Sequence, residues 1–111
     1  MGPIEKINRS ERKLRLSIEQ LNAFYEVASE RSFSAAARKL KKSQSALSIA
    51  VANLETDLGV TLFDRTGRYP VLTHNGKSLL RDAEAILQQC ASMENRAYGL
   101  AAELEKEVTL A

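Results

Sequence analysis

The sequence predicts a mainly α chain, in which a head of three helices with a short β-hairpin is followed by one long helix. Three observations predict it. Ser17, Ser34 and Ser43 each precede a stretch with helical apolar spacing. Two β-prone segments, Val60 to Asp64 and Tyr69 to Thr73, flank the turn-forming Arg65-Thr66-Gly67-Arg68. Beyond them Leu79, Ala83, Ile86, Cys90, Met93, Ala97, Leu100 and Leu104 recur every three or four residues, the repeat of a helix whose seam packs on another helix.

The first helix starts after Ser17, whose hydroxyl and Gln20 three residues on form a capping box. Leu21, Phe24, Tyr25 and Ala28 give it one buried face, and it ends near Glu30. Ser32-Phe33-Ser34 interrupts the pattern, and Ser34 is the expected cap of a short second helix through Leu40. The small Ala36 and Ala37 let a neighbouring helix cross close by. Lys41-Lys42-Ser43 is the turn, and Ser43 caps a third helix that stops at Gly59. Leu47, Val51, Leu54 and Leu58 form its buried stripe. Thr73 is the expected cap of the last helix, over about residues 74 to 107, roughly 50 Å at about 1.5 Å per residue. A seam that long outruns the head, so a second copy is its economical partner.

Composition excludes several classes of function. The chain has 111 residues, 44% hydrophobic and 27% charged, enough for one ordinary domain. No apolar run approaches the about 20 residues of a membrane span, and polar residues follow Met1 where secretion needs an apolar segment, so a cytoplasmic protein is expected. One cysteine and one histidine leave no internal disulfide and no Cys/His metal site; Cys90 reads as a small hydrophobe and His74 as a surface residue. The chain offers no catalytic carboxylate pair, nucleophile and base, or glycine-rich phosphate loop, so neither an enzyme nor a cofactor is expected. The net charge of +2 is unevenly spread: residues 1–16 carry +3, 17–30 carry −3, 31–77 carry +5 and 78–111 carry −3. A basic stripe lies between acidic flanks.

Helix, three-residue turn, polar-faced helix and basic hairpin, in that order, is the pattern of a winged helix-turn-helix. The third helix leaves Gln44, Ser45, Ser48 and Ile49 outward, with Ala52, Asn53 and Thr56 beyond them: short, uncharged, mostly hydrogen-bonding groups. A DNA major groove about 12 Å wide admits one helix carrying such groups. The helix N-terminus adds free N–H groups and a positive dipole. Ile49 is either a packing contact within the head or an apolar surface for a thymine methyl. Ser34, Arg38, Lys39, Lys41, Lys42 and Ser43 are candidate phosphate contacts, and Arg65 and Arg68 candidate minor-groove contacts at the hairpin tip.

The string Ala36-Ala37-x-x-Leu40-x-x-Ser43-Gln44-Ser45-Ala46-Leu47-Ser48, then Leu54-Glu55-x-x-Leu58-Gly59-x-x-Leu62-Phe63-x-Arg65 and Leu72-Thr73-x-x-Gly76, resembles the N-terminal DNA-binding domain of LysR-type transcriptional regulators over about residues 17 to 108. The resemblance implies a winged helix-turn-helix over residues 17–73 and a dimerising linker helix over 74–111; residues 1–16, whose charge reads as a mobile basic arm or a frayed helical extension, exceed the usual family start. It implies base contacts at Gln44, Ser45, Ser48 and Ile49. It also implies an effector-sensing domain of periplasmic-binding-protein-like fold, absent from this chain, which reads as a fragment of a longer, usually tetrameric regulator. The family commonly has proline at Ser45, arginine at Ile49 and a basic residue at Ala52. Losing an arginine–guanine contact, worth about 1–3 kcal/mol of discrimination, predicts a site with fewer guanine-dependent positions.

The expected function is therefore sequence-specific binding of double-stranded promoter DNA by a homodimer, on an interrupted inverted repeat. A small-molecule effector would act only through the absent domain. The alternative is a helical protein–protein interaction module, which the basic stripe and the polar face of the third helix disfavour.

Overall fold

The computed structural model describes residues 14–110. Helix α1 spans Ile18–Glu30, α2 Phe33–Leu40, α3 Gln44–Leu58 and α4 His74–Leu110, with strands β1, Phe63–Asp64, and β2, Val71–Leu72, between the last two helices. The basic extension expected over residues 1–16 lies, but for its last three residues, outside the described residues.

Local chemistry sets the helix boundaries. Ser17 Oγ accepts from Gln20 N at 3.1 Å while Gln20 Oε1 accepts from Ser17 N at 2.9 Å, the reciprocal box that the sequence announces. The second helix corrects the sequence reading: Ser32, not Ser34, is its cap. Ser32 is extended, at φ −161° and ψ 128°, and its Oγ accepts from Ala35 N at 3.0 Å. Either serine suits a cap. The earlier start puts Phe33 on the helix, where its ring meets Phe63 edge-on at 6.0 Å. Ser43 Oγ accepts from Ala46 N at 3.0 Å and begins α3, which Gly59 ends at φ 75°. Arg31 and Lys41 end α1 and α2 at φ 57° and 59°, the left-handed conformation that disfavours side chains with a Cβ.

Helix α1 sits at the centre of the head and packs against α2, α3 and α4. Its Leu21, Ala23, Phe24 and Val27 join Ala36, Ala37, Leu47, Val51, Leu54, Leu62 and Phe63 in one core, where each large side chain contributes about 1.5–3 kcal/mol by leaving water. Gln20 Nε2 donates to Asp57 Oδ2 at 3.1 Å and ties α1 to the end of α3. The hairpin is shorter than the β-prone segments: two residues pair on each side, Phe63 with Leu72 and Asp64 with Val71, antiparallel. Gly67 is not in the left-handed region, so the tip is not the glycine turn expected there.

Thr73 starts α4 as expected, its Oγ1 accepting from Gly76 N at 2.9 Å and donating to Thr61 O at 2.6 Å. Gly76 has a further reason to be glycine. A Cβ there would stand 2.2 Å from Leu62 O, the carbonyl that also accepts Thr73 N at 2.9 Å. The apolar repeat on α4 serves two surfaces. Ala83, expected in the intermolecular seam, is only 2% exposed and buried within its own head, and the half-buried Leu79, Leu80 and Leu87 pack on the same core. Ile86, Met93, Leu100 and Leu104 stay exposed, Met93 at 73%; Ala97 is exposed and Cys90 half-buried. Among the described residues no helix is long and apolar enough to cross a membrane.

Candidate nucleic-acid interface

The N-terminal half of α3 presents an uncharged ledge. Residues four apart on a helix share a face, so Gln44 lies over Ser48, and Ser45 over Ile49 with Ala52 one turn further. Gln44, Ser45, Ile49 and Ala52 are exposed and Ser48 is half-buried. Ile49, at 58% exposed, is free of the head's core, which decides between its two readings in favour of an outward apolar surface. Ser43 is exposed too; its Oγ accepts from Ala46 N in capping α3 and keeps its hydrogen to give.

The basic residues beside the ledge divide into two groups. Lys42 Nζ lies 2.6 Å from Glu19 Oε2, and this pairing holds the Glu19 carboxyl below its usual range, the hydrogen bond from Lys42 contributing most. Lys39 Nζ stands 3.3 Å from Glu26 Oε1 and 3.6 Å from Glu30 Oε2, and that pairing, with Glu26 first, raises the ammonium above its usual range. Glu26 Oε1 is buried, with the Lys39 ammonium beside it. Both lysines were candidate phosphate contacts. Both face carboxylates of α1, and of that cluster Arg38 and Lys41 are exposed without an ion pair among the described residues. Ser34 is exposed and shares a 3.1 Å hydrogen bond with Ser32 Oγ.

The two hairpin arginines separate as well. Arg68 is exposed near the tip, its guanidinium 5.6 Å from the Tyr69 ring centroid. Arg65 turns away from the tip. Its guanidinium lies 4.4 Å over the Phe33 ring, and Nη1 donates to Ser48 Oγ at 3.4 Å, joining the hairpin to the ledge. The expectation of both arginines at the tip is corrected by this contact: Arg65 gains the closer aromatic face of Phe33 together with the Ser48 hydroxyl.

Two residues that sequence reasoning did not single out place the hairpin. Glu55 Oε2 accepts from Leu62 N at 2.8 Å and Phe63 N at 3.2 Å, fixing β1 to the side of α3. Phe63 packs edge-on against Phe24 at 5.7 Å and against Phe33, and so carries the ring under Arg65. The only signal for Glu55 is its place in the Leu54-Glu55-x-x-Leu58-Gly59 string, since a carboxylate facing a loop seven residues later has no local periodicity.

Comparison with known proteins supplies the context. The family described as bacterial regulatory helix-turn-helix protein, lysR family, matches residues 18–77. The HTH-type transcriptional regulator AceR of Acinetobacter baumannii is 40% identical over 97 residues, 87% of this chain and 33% of AceR. The RuBisCO operon transcriptional regulator of Allochromatium vinosum is 38% identical over 81 residues, 73% of this chain and 27% of that protein. The chain thus spans about a third or less of these relatives. Among solved structures, the BenM DNA-binding domain in complex with catB site 1 DNA superposes with a TM-score of 0.74 at 31% identity, covering 78% of this chain and 97% of that one. The CbnR DNA-binding domain in complex with DNA gives 0.71 at 35% identity, over 78% and 99% of the two chains.

Proposed function

Because the chain belongs to the lysR family of bacterial regulatory helix-turn-helix proteins, we propose that it is the DNA-reading part of a transcriptional regulator, with residues 17–73 as the reading head and 74–111 as the linker that pairs two heads. The observation that carries the reading is the exposed, uncharged ledge of Gln44, Ser45, Ser48 and Ile49 at the N-terminus of α3, beside the exposed cations Arg38 and Lys41. Short polar groups on a helix end with free N–H groups suit base edges in the major groove, and the flanking cations suit phosphate. Arg68 near the hairpin tip suits the narrow minor groove alongside.

The outer seam of α4, with Ile86, Met93, Leu100 and Leu104 exposed, supports pairing with a second copy. Two paired heads would address half-sites about one helical turn or a multiple of it apart, on an interrupted inverted repeat. The DNA complexes of the related BenM and CbnR domains support the same partner for this chain. A cytoplasmic location, a non-enzymatic role, tetramers in a longer protein and control by a small molecule through a further domain complete the proposal.

Fluorescence anisotropy with a promoter duplex and a random duplex of equal length tests it. Gln44→Ala should weaken the promoter complex about tenfold and leave the random complex unchanged, while Lys41→Ala should weaken both alike and reduce the salt slope by about one unit. Equal losses on both duplexes for Gln44→Ala would remove the ledge from base reading.

A further inference from the structure

We infer that Arg65 is a positioning residue for base recognition: by donating to Ser48 Oγ it makes the Ser48 hydroxyl a donor toward the groove, so that Ser48 selects acceptor atoms on the base edge. The inference rests on the reading of α3 as the major-groove helix and deepens it.

Arg65 is held from three directions. Before it, Glu55 Oε2 accepts from Leu62 N and Phe63 N; after it, Asp64 Oδ1 accepts from Thr66 N at 2.9 Å and Thr66 Oγ1 at 2.7 Å. The backbone on both sides is therefore tied. The guanidinium itself is stacked 4.4 Å over Phe33, whose ring rests on Phe63 in the core. From that seat Nη1 reaches Ser48 Oγ at 3.4 Å.

The direction of this bond is fixed by chemistry. A guanidinium has donors and no acceptor, so Ser48 Oγ accepts, and a hydroxyl that accepts keeps its one hydrogen to give. Serine on a helix often gives that hydrogen to the carbonyl four residues back. Thr56 on the same helix does so, donating to Ala52 O at 3.1 Å, whereas Ser48 makes no such bond among the described residues. The Ser48 hydrogen is thus available to the groove, and the adjacent positive charge favours guanine N7 and O6, adenine N7 and thymine O4 over the amino donors of cytosine and adenine.

Binding-site selection from a randomised duplex pool, followed by anisotropy on single-base variants of the selected site, tests the inference with the intact chain and with Ser48→Ala, Arg65→Lys, Arg65→Met and the Ser48→Ala/Arg65→Met double variant. Ser48→Ala and Arg65→Met should each flatten the preference at the same base position by about tenfold, and the double variant should lose no more there than either alone. Arg65→Lys, which keeps the charge without the forked donor, should flatten that position and leave the salt slope unchanged. Replacing the ring nitrogen N7 of a selected purine at that position by carbon should weaken the intact chain and not Ser48→Ala. Arg65→Met that weakened all sequences alike, lowered the salt slope and kept every base preference would overturn the inference and leave Arg65 as a phosphate contact. Ser48→Ala with no effect at any position would overturn it by a different route, by removing Ser48 from base reading altogether.

Discussion

Lys42 Nζ and Glu19 Oε2, on the turn before α3 and the first turn of α1, meet at 2.6 Å, so a lysine proposed as a phosphate contact is paired with the protein's own carboxylate. On the proposed function, Glu19 and a phosphate would compete for the same ammonium. Glu19→Gln should therefore tighten DNA binding and steepen its salt dependence, by up to about 0.9 in the log–log slope for one more phosphate contact. Anisotropy titrations from low to physiological salt check this, and an unchanged slope would place Lys42 off the DNA path.

The Lys42–Glu19 pairing and two other exposed contacts predict a modest pH dependence of stability. Glu19 is lowered from an ordinary 4.5 by Lys42, and Asp64 from 3.8 by the Thr66 backbone and hydroxyl. Folded carboxylates that hold protons less readily than unfolded ones stabilise the fold fully above the ordinary values, and this is lost as pH falls through the lowered ones. Lys39, raised above 10.5 by Glu26 and Glu30, stabilises fully below that value and loses its contribution as pH rises through the raised one. Urea midpoints should be level in these groups between the two limits and fall on either side, less steeply on the acid side for Glu19→Gln with Asp64→Asn. All three groups face water, so added salt should weaken the effect.

Gly76→Ala should destabilise the head by about 1–3 kcal/mol, because its Cβ would meet Leu62 O at 2.2 Å and backbone on both sides must move. Thermal unfolding checks it: for a domain of this size about 1 kcal/mol corresponds to about 4–8 °C. A midpoint within a degree of the original would show that the approach of α4 to β1 is loose.

Much of this architecture was legible in the sequence because its determinants are local. The capping box of Ser17 and Gln20, the Ser43 cap, the Gly59 stop and the Thr73 start each act within four residues. What was not legible is decided by packing between elements. Ser32 displaces Ser34 as a cap because Phe33 is wanted against Phe63. Lys39 and Lys42 read as free cations until α1 lays Glu26, Glu30 and Glu19 beside them. Arg65 and Arg68 look alike along the chain, and only Phe33 and Ser48 draw the first away from the tip. The heptad spacing of α4 could not say where the head's own core stops using it, which the structure places after Leu87.

That division of α4 makes Leu100→Asp a clean change, since Leu100 is 64% exposed and lies beyond the stretch that packs on the head. Sedimentation should show the dimer shifting to monomer with the unfolding of the head unchanged. A dimer of unaltered strength would move the pairing surface off this seam.

The central claim, that α3 reads DNA sequence as one of a pair, is tested most directly by selecting bound duplexes from a randomised pool with this chain and sequencing them. The account predicts enrichment of an inverted repeat whose half-sites lie about one helical turn, or a multiple of it, apart. Retention that rises with charge at low salt and enriches no sequence would contradict it.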